Sequence, residues 1–256
     1  MKFYVASVTD VGIKRRENQD ALFVSTFSNE QRNVAFAVLC DGMGGLSNGA
    51  MASNSIVSAF TKWAEEHIPN MNLTELTPES VYSDWDAIVR EENDKLRSYG
   101  KNNGFTMGST LVVAMFTEQR YFIINIGDSR AYFLSPTVQQ ITMDHSAIAE
   151  EVRKGNMSEE QAEQSPIKNV LTRCVGVAKT VQPDLYFGDT EEETVCLICS
   201  DGFRHRVTKE EMRETLILPQ AGNFSTIPAK LSTLVDLNKS RGETDNISAI
   251  VICATA

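Results

Sequence analysis

Val34-Ala-Phe-Ala-Val-Leu-Cys-Asp41-Gly-Met-Gly-Gly45 is an apolar run, long enough for one buried strand, that ends in an aspartate and then carries three glycines within four residues. The strand fixes where Asp41 sits. Glycine has no Cβ and tolerates positive φ, so backbone there can approach whatever Asp41 holds. The spacing predicts a turn at the glycines and then a helix, because Ala52, Ile56, Phe60 and Trp63 recur at helical intervals through about His67.

Working outward, the chain has 256 residues, 42% hydrophobic and 23% charged, which is ordinary globular composition. Its net charge of -10 argues against nucleic acid or an anionic membrane as the main partner, since both require a basic footprint. No apolar run approaches the roughly 20 residues of a membrane span. The N-terminal Met1-Lys-Phe-Tyr-Val-Ala-Ser-Val alternates like a strand and is too short and polar for a secretory leader. Cys40, Cys174, Cys196, Cys199 and Cys253 are odd in number and form no framework. Cys196-Leu-Ile-Cys199 has C-x-x-C spacing but lies in a strand-like run, where positions three apart face opposite ways, so these read as core thiols. The expected location is the cytoplasm, and the expected state a monomer.

The other elements follow from periodicity and end signals. Strands are expected at 2–8, 21–27, 109–116, 121–126, 131–134, 181–187, 194–198 and 247–253. Thr77-Pro78 opens a second helix, striped by Tyr82, Trp85, Val89 and Leu96 and broken at Asn102-Asn-Gly104. Asp144-His145-Ser146 leads into a polar helical segment through about Gln164, with a capping-box pattern at Ser158–Gln161. Residues 165–180 read as irregular, and helices are expected after Thr208 and over Ile227–Leu237. Strands arrive in clusters separated by paired helices, which favours antiparallel sheets with helices on the outer faces over a doubly wound parallel sheet. No repeat or linker interrupts the chain, so one domain over 1–256 is expected.

Asp41, Asp128, Asp201 and Asp245 each sit at the boundary of an apolar strand, and Asp20 immediately precedes one. A single Asp-Gly is an ordinary turn signal. Several carboxylates beside buried strands repel one another and lose hydration, and cations compensate best. Oxygen-only ligation suits Mg²⁺ or Mn²⁺, and with only His67, His145 and His205 a histidine-rich zinc site is disfavoured. Two such ions about 3.5–4 Å apart would activate water and clamp a phosphoryl group. The spacing points to a metal-dependent hydrolase and leaves its substrate open. Gly42-Met-Gly-Gly45 lacks the Gly-Lys-Ser/Thr of a nucleotide P-loop and the full G-x-G-x-x-G pattern.

Taken together, Arg15-Arg-Glu-Asn-Gln-Asp20, Asp41-Gly-Met-Gly-Gly45, Gly108-Ser-Thr110, Gly127-Asp-Ser-Arg-Ala-Tyr132, Asp144-His-Ser146, Ser200-Asp-Gly202 and Asp245-Asn-Ile247 resemble, in order, the motifs of the PP2C-type metal-dependent protein serine/threonine phosphatases, most closely their compact bacterial members. The resemblance runs from about Tyr4 to Ile252. It implies an α+β, four-layer α-β-β-α sandwich with two central antiparallel sheets. It also implies hydrolysis of phosphoserine and phosphothreonine by direct attack of a metal-bridging hydroxide. Asp41 would bridge two Mn²⁺ or Mg²⁺ ions, with the Gly42 carbonyl on the second. Asp201 and Asp245 would complete the first, and Asp20 would ligate or order water on the other. Asp128, with Asp201, would hold a third, weaker ion. Arg15 would bind the substrate phosphate, Cys40 would not serve as a nucleophile, and 146–180 would form the variable flap. Phosphorylated targets of a bacterial serine/threonine kinase are the implied partners.

Two departures stand out: Met43 occupies the position where eukaryotic members often carry a histidine, and Gln19 replaces a common glutamate. Arg204-His205 also differs from the family's usual apolar continuation. Three other readings compete: a hydrolase of small phosphate monoesters on the same scaffold, a catalytically inactive phosphoprotein-binding module, and a purely structural sandwich.

Overall fold

The apolar run is a strand buried on both faces, in a computed structural model that describes residues 1–29, 32–44, 48–135, 137–158, 161, 162, 165, 167, 170–217 and 224–256. In chain order the elements are β1 (Lys2–Asp10), β2 (Asp20–Asn29), β3 (Arg32–Gly44), α1 (Asn48–His67), α2 (Pro78–Asn103), β4 (Met107–Ser109), β5 (Leu111–Thr117) and β6 (Arg120–Ile126). They continue with β7 (Arg130–Phe133), β8 (Gln139–Gln140), α3 (Ala147–Arg153), β9 (Asp184–Asp189), β10 (Val195–Cys199), α4 (Asp201–Arg204), α5 (Lys209–Leu216), α6 (Ile227–Ser240) and β11 (Ile247–Thr255).

Two antiparallel sheets result, one ordered β1-β11-β10-β7-β8 and the other β2-β3-β5-β6-β9 with β4 added beside β3. Alternation along β3 divides its side chains between two cores. Val34, Phe36, Val38 and Cys40 pack with Phe60, Trp63 and Trp85 of α1 and α2. Ala35, Ala37 and Leu39 instead join Ile198, Ile250 and Ile252 of the other sheet. A third core sets Leu197, Cys199 and Val251 against Phe203, Met212 and Leu231 of α4, α5 and α6. Three apolar layers between four layers of elements make the expected α-β-β-α sandwich, and they explain why β3 carries no polar residue between Val34 and Cys40.

Local signals shape the helices as read. Thr77 and Ser80 cap α2 reciprocally with Pro78 in the first turn, and Gly104 closes it in the left-handed conformation. Thr208 and Glu211 do the same for α5. Ser158 and Gln161 make the two reciprocal bonds of the expected box. All five cysteines are buried and unpaired, Cys196 between the sheets and Cys199 on the helix side, as strand alternation requires.

Three expectations are corrected. The glycines after Asp41 do not turn: β3 continues through Gly44, and Gly42, Met43 and Gly44 pair with Ser109, Gly108 and Met107 of β4. Gly45 lies outside the described residues. The polar helical segment after Ser146 is interrupted: α3 ends at Arg153, residues 161 and 162 are helical again, and Gln164 also lies outside the described residues. The strand expected from Val181 begins at Asp184, and Val181 packs under the helices instead. Among the described residues, no helix is long and apolar enough to cross a membrane.

Candidate metal centre

All five candidate aspartates lie along one edge of the sandwich, Asp41 where β3 leaves its pairing with β2 and the others at or beside strand ends, and both sheets contribute. Asp20 begins β2 directly opposite Asp41 in the antiparallel register. Asp41 shares the parity of Ala35, Ala37 and Leu39, so its side chain faces the other sheet. Asp128 follows β6, Asp201 follows β10, and Asp245 precedes β11.

The backbone of Asp41 is pinned by the Gly108-Ser-Thr110 stretch. Its N–H donates to Thr110 Oγ1 at 2.9 Å, and its carbonyl accepts from Thr110 N at 2.9 Å and Ser109 Oγ at 2.8 Å. Thr110 Oγ1 also meets Ser129 Oγ at 2.7 Å, joining the Asp41 strand to the Asp128 loop. That loop turns at Gly127, whose φ of 101° suits glycine alone and whose missing Cβ makes room for Thr110. Gly42 donates its N–H to Gln19 O at 3.0 Å, and a Cβ there would lie 2.2 Å from the Gly49 carbonyl. Only glycine lets β3 run this close to the start of α1. Gln19 lies against Gly49.

Arg15 rides on the 11–19 loop. Its Nη2 donates to Asp245 Oδ2 at 2.7 Å, and its side chain is 54% exposed. Asn246 anchors that loop by donating to the Val11 and Glu17 carbonyls and accepting from Gln19 N. Sequence reading singled out Asn246 only as part of a motif. Its signal is an amide beside a buried strand, where all its hydrogen-bonding capacity must be met.

Electrostatics agree with the placement. Burial, then Asp20, Asp201, Asp128 and Asp245, drive the Asp41 carboxyl well above the usual range. Asp20 is pushed up to about 7 by burial, with Asp201 and Asp245 adding to it while the Ser248 and Ser200 hydroxyls oppose. Ser200 Oγ donates to Asp20 Oδ2 at 3.0 Å, whereas Asp20 Oδ1 and Asp201 Oδ1 are buried without a hydrogen-bond partner. Such orphaned carboxylate oxygens in a like-charged cluster fit hard divalent cations. Among the described residues, no three carboxylate, imidazole or thiolate groups form a ready-made cage around one ion. Repulsion accounts for this: Asp20 leans on a serine and Asp245 on Arg15. Backbone oxygen and water are therefore needed to complete a shell, as hard-ion sites allow.

The Gly127–Tyr132 and Asp144–Ser146 stretches are structural in part. Arg130 grips both oxygens of Asp144 at 2.8 and 2.7 Å and reaches Tyr132 Oη at 3.0 Å. His145 Nδ1 accepts from Gly127 N at 3.1 Å, leaving Nε2 to meet Asp184 Oδ2 at 3.0 Å. The purpose of Arg204 and His205, opaque in sequence, is visible here. Arg204 Nη2 donates to the Asp128 carbonyl at 3.1 Å and lies 3.9 Å from the carboxylates of both Asp128 and Asp144. His205 sits between Asp201, at 3.5 Å, and Glu243, at 3.4 Å.

Comparison with known proteins decides the family. The family model described as protein phosphatase 2C matches residues 13–228, most of the chain. The chain belongs to the protein phosphatase 2C family. Within that family it is 32% identical over 250 residues to the serine/threonine phosphatase stp of Listeria monocytogenes, covering 95% of this chain and 93% of that one. It is 30% identical over 254 residues to the protein phosphatase PhpP of Streptococcus pneumoniae, covering 97% and 96%. The fold superposes on the serine/threonine phosphatase of S. agalactiae with a TM-score of 0.84 and 29% identity, covering 99% of this chain and 100% of that one. The catalytic domain of the phosphatase PstP, solved with two manganese ions, matches with a TM-score of 0.79 and 26% identity, covering 99% of each.

Proposed function

We infer that this PP2C-family chain is a metal-dependent protein phosphatase that hydrolyses phosphoserine and phosphothreonine in proteins. The observation that carries this is the edge where both sheets deliver Asp20, Asp41, Asp201 and Asp245 beside an exposed Arg15. Asp41 would bridge two Mn²⁺ or Mg²⁺ ions, with Asp201 and Asp245 on one and the Gly42 carbonyl and Asp20 on the other. When bound, the ions supply an acidified water and withdraw charge from the phosphoryl oxygens.

The chain's own groups do the rest. Arg15 is held over the site by one bond to Asp245 and is open to solvent, so its planar guanidinium can take two oxygens of an incoming phosphate. Thr110, Ser109 and Asn246 fix Asp41 and the Arg15 loop by backbone hydrogen bonds, so little reorganisation accompanies substrate capture. The Met43 side chain is exposed on the strand beyond Asp41 and offers no proton, which leaves the departing alkoxide to solvent in the site. Burial and the neighbouring Asp41 and Asp20 raise the Cys40 thiol far above its ordinary value, so it stays neutral and is no nucleophile.

The inactive binding module loses its motivation, because every candidate carboxylate is present. One catalytic domain over 1–256 acts on targets of a bacterial-type serine/threonine kinase in the cytoplasm. Bacterial relatives and five unpaired thiols support that setting. With purified protein, hydrolysis of a phosphothreonine peptide should require added Mn²⁺ or Mg²⁺, stop with EDTA, and collapse in Asp41→Asn and Asp245→Asn. Metal-independent turnover would sink the assignment.

A further inference from the structure

A cation shared by Asp128 and Asp201 would have to sit beside Arg204. α4 is a single turn that begins at Asp201, and three residues later its Arg204 crosses to the Asp128 loop. The guanidinium is only 14% exposed, donates to the Asp128 carbonyl at 3.1 Å, and lies 3.9 Å from the carboxylates of Asp128 and Asp144. Arg130 also stands nearby, but two of its nitrogens are spent on Asp144 and a third on Tyr132. Among the described residues, Arg204 is therefore the cation that stands within ion-pair distance of the Asp128 carboxylate. A guanidinium does not lose its proton in a protein, and burying it is tolerated only where carboxylates offset it. Its charge is thus permanent.

Among the described residues, no comparable ion pair is made by Asp41: the charged groups that act on its carboxyl are Asp20, Asp201, Asp128 and Asp245, and Arg15 is bonded to Asp245 and half exposed. One part of the acidic edge is left for external cations, and the other already has a resident cation that offsets part of its charge.

We propose that Arg204 is a built-in counter-charge standing in for a third cation, so that this chain holds two divalent ions and excludes one at the Asp128–Asp201 pair. The proposal rests on the two-ion reading of the Asp41 site. It names a specificity-determining residue for the metal complement, and its first readout is binding rather than turnover.

The test is Mn²⁺ stoichiometry of the EDTA-stripped, full-length protein, by equilibrium dialysis and by the EPR signal of free Mn²⁺ up to the millimolar range. Wild type should bind two ions, and R204K, which keeps the charge, should also bind two. R204M should bind a third, weaker ion, and R204M/D128N should return to two. Three ions in wild type, with one lost in D128N, would overturn the proposal even if R204M does not fold. So would two ions in a folded R204M. Fewer than two ions in wild type would instead remove the two-ion reading itself, a failure visible before any variant is compared.

Discussion

β3 and β6 lie in one sheet, and β3 leaves its pairing with β2 at Asp41 much as β6 ends just before Gly127-Asp128, yet their aspartates meet different surroundings. Asp41 is raised well above the ordinary carboxylate range by burial and then by four other carboxylates. Asp128 is pushed up to about 6 by burial and Asp201, with Arg204 and Arg130 pulling the other way and Asp144 adding to the rise. On the proposed two-ion reading, the same local grammar would deliver one carboxylate to an external cation and the other to a resident one. A strand end thus sets where a charge is placed, and long-range neighbours set what balances it.

The contrast can be broken most severely by turnover. Asp41→Asn should lower kcat on a phosphothreonine peptide by about 10²–10³-fold, the scale for removing a principal electrostatic stabiliser. Asp128→Asn should stay within about tenfold, because on the proposed reading it holds neither of the two ions. Equal losses in the two variants would erase the distinction.

Arg15 gives the next effect. Its charge-assisted bonds to a substrate phosphate are worth about 1.5–3 kcal/mol, so Arg15→Ala should reduce kcat/KM by roughly 10–100-fold, chiefly through KM. An unchanged kcat/KM would take Arg15 out of substrate binding.

Stability of the metal-free protein should separate the two aspartates by size. Asp41→Asn removes a carboxylate raised by burial and four like charges and should raise Tm by a few degrees. Asp128→Asn removes a carboxylate whose rise Arg204 and Arg130 oppose, so its gain in Tm should be smaller, at about 2–4 °C per kcal/mol for a chain of this size. Calorimetry in EDTA decides, and an equal or larger gain in Asp128→Asn would contradict the charge assignment.

The smallest effect is on pH. Folding raises Asp20 from 3.8 to about 7, so between those values the metal-free native protein holds a proton that the unfolded chain has released. Stability therefore falls as pH rises through that window. The EDTA-treated protein should melt lower at pH 8 than at pH 5, and the difference should shrink in Asp20→Asn. A Tm that does not fall by pH 8 would mean that Asp20 is already ionised and paired without metal.

What could be read from the sequence was whatever depends on neighbours along the chain. The run from Val34 to Cys40, the reciprocal caps at Thr77 and Thr208, and the split of Cys196 from Cys199 all follow from period and local chemistry. The aspartates were legible because each sits where an apolar strand stops. β4 was not legible, since Met107-Gly-Ser109 has no periodicity and is a strand only because Gly42–Gly44 lies beside it. Nor was the pairing of Arg204 with Asp128, 76 positions apart, which nothing short of the closed sandwich brings together. The motif resemblance supplied roles for Asp20 and Arg15 that a polar loop could not declare by itself.

The position of β11 has a consequence for when the protein becomes active. β1 pairs along its whole length with β11, from Lys2 opposite Thr255 to Asp10 opposite Ile247, and Asp245 arrives just ahead of that strand. β1 leaves the ribosome well before β11 and must wait for it, on the order of tens of seconds at bacterial rates of synthesis. Until then β1 has a bare edge of the kind that recruits chaperones or other nascent chains. On the reading that gives Asp245 to a metal, the phosphatase could not fire before that strand is made. Any product cut short of β11 would be silent rather than unregulated.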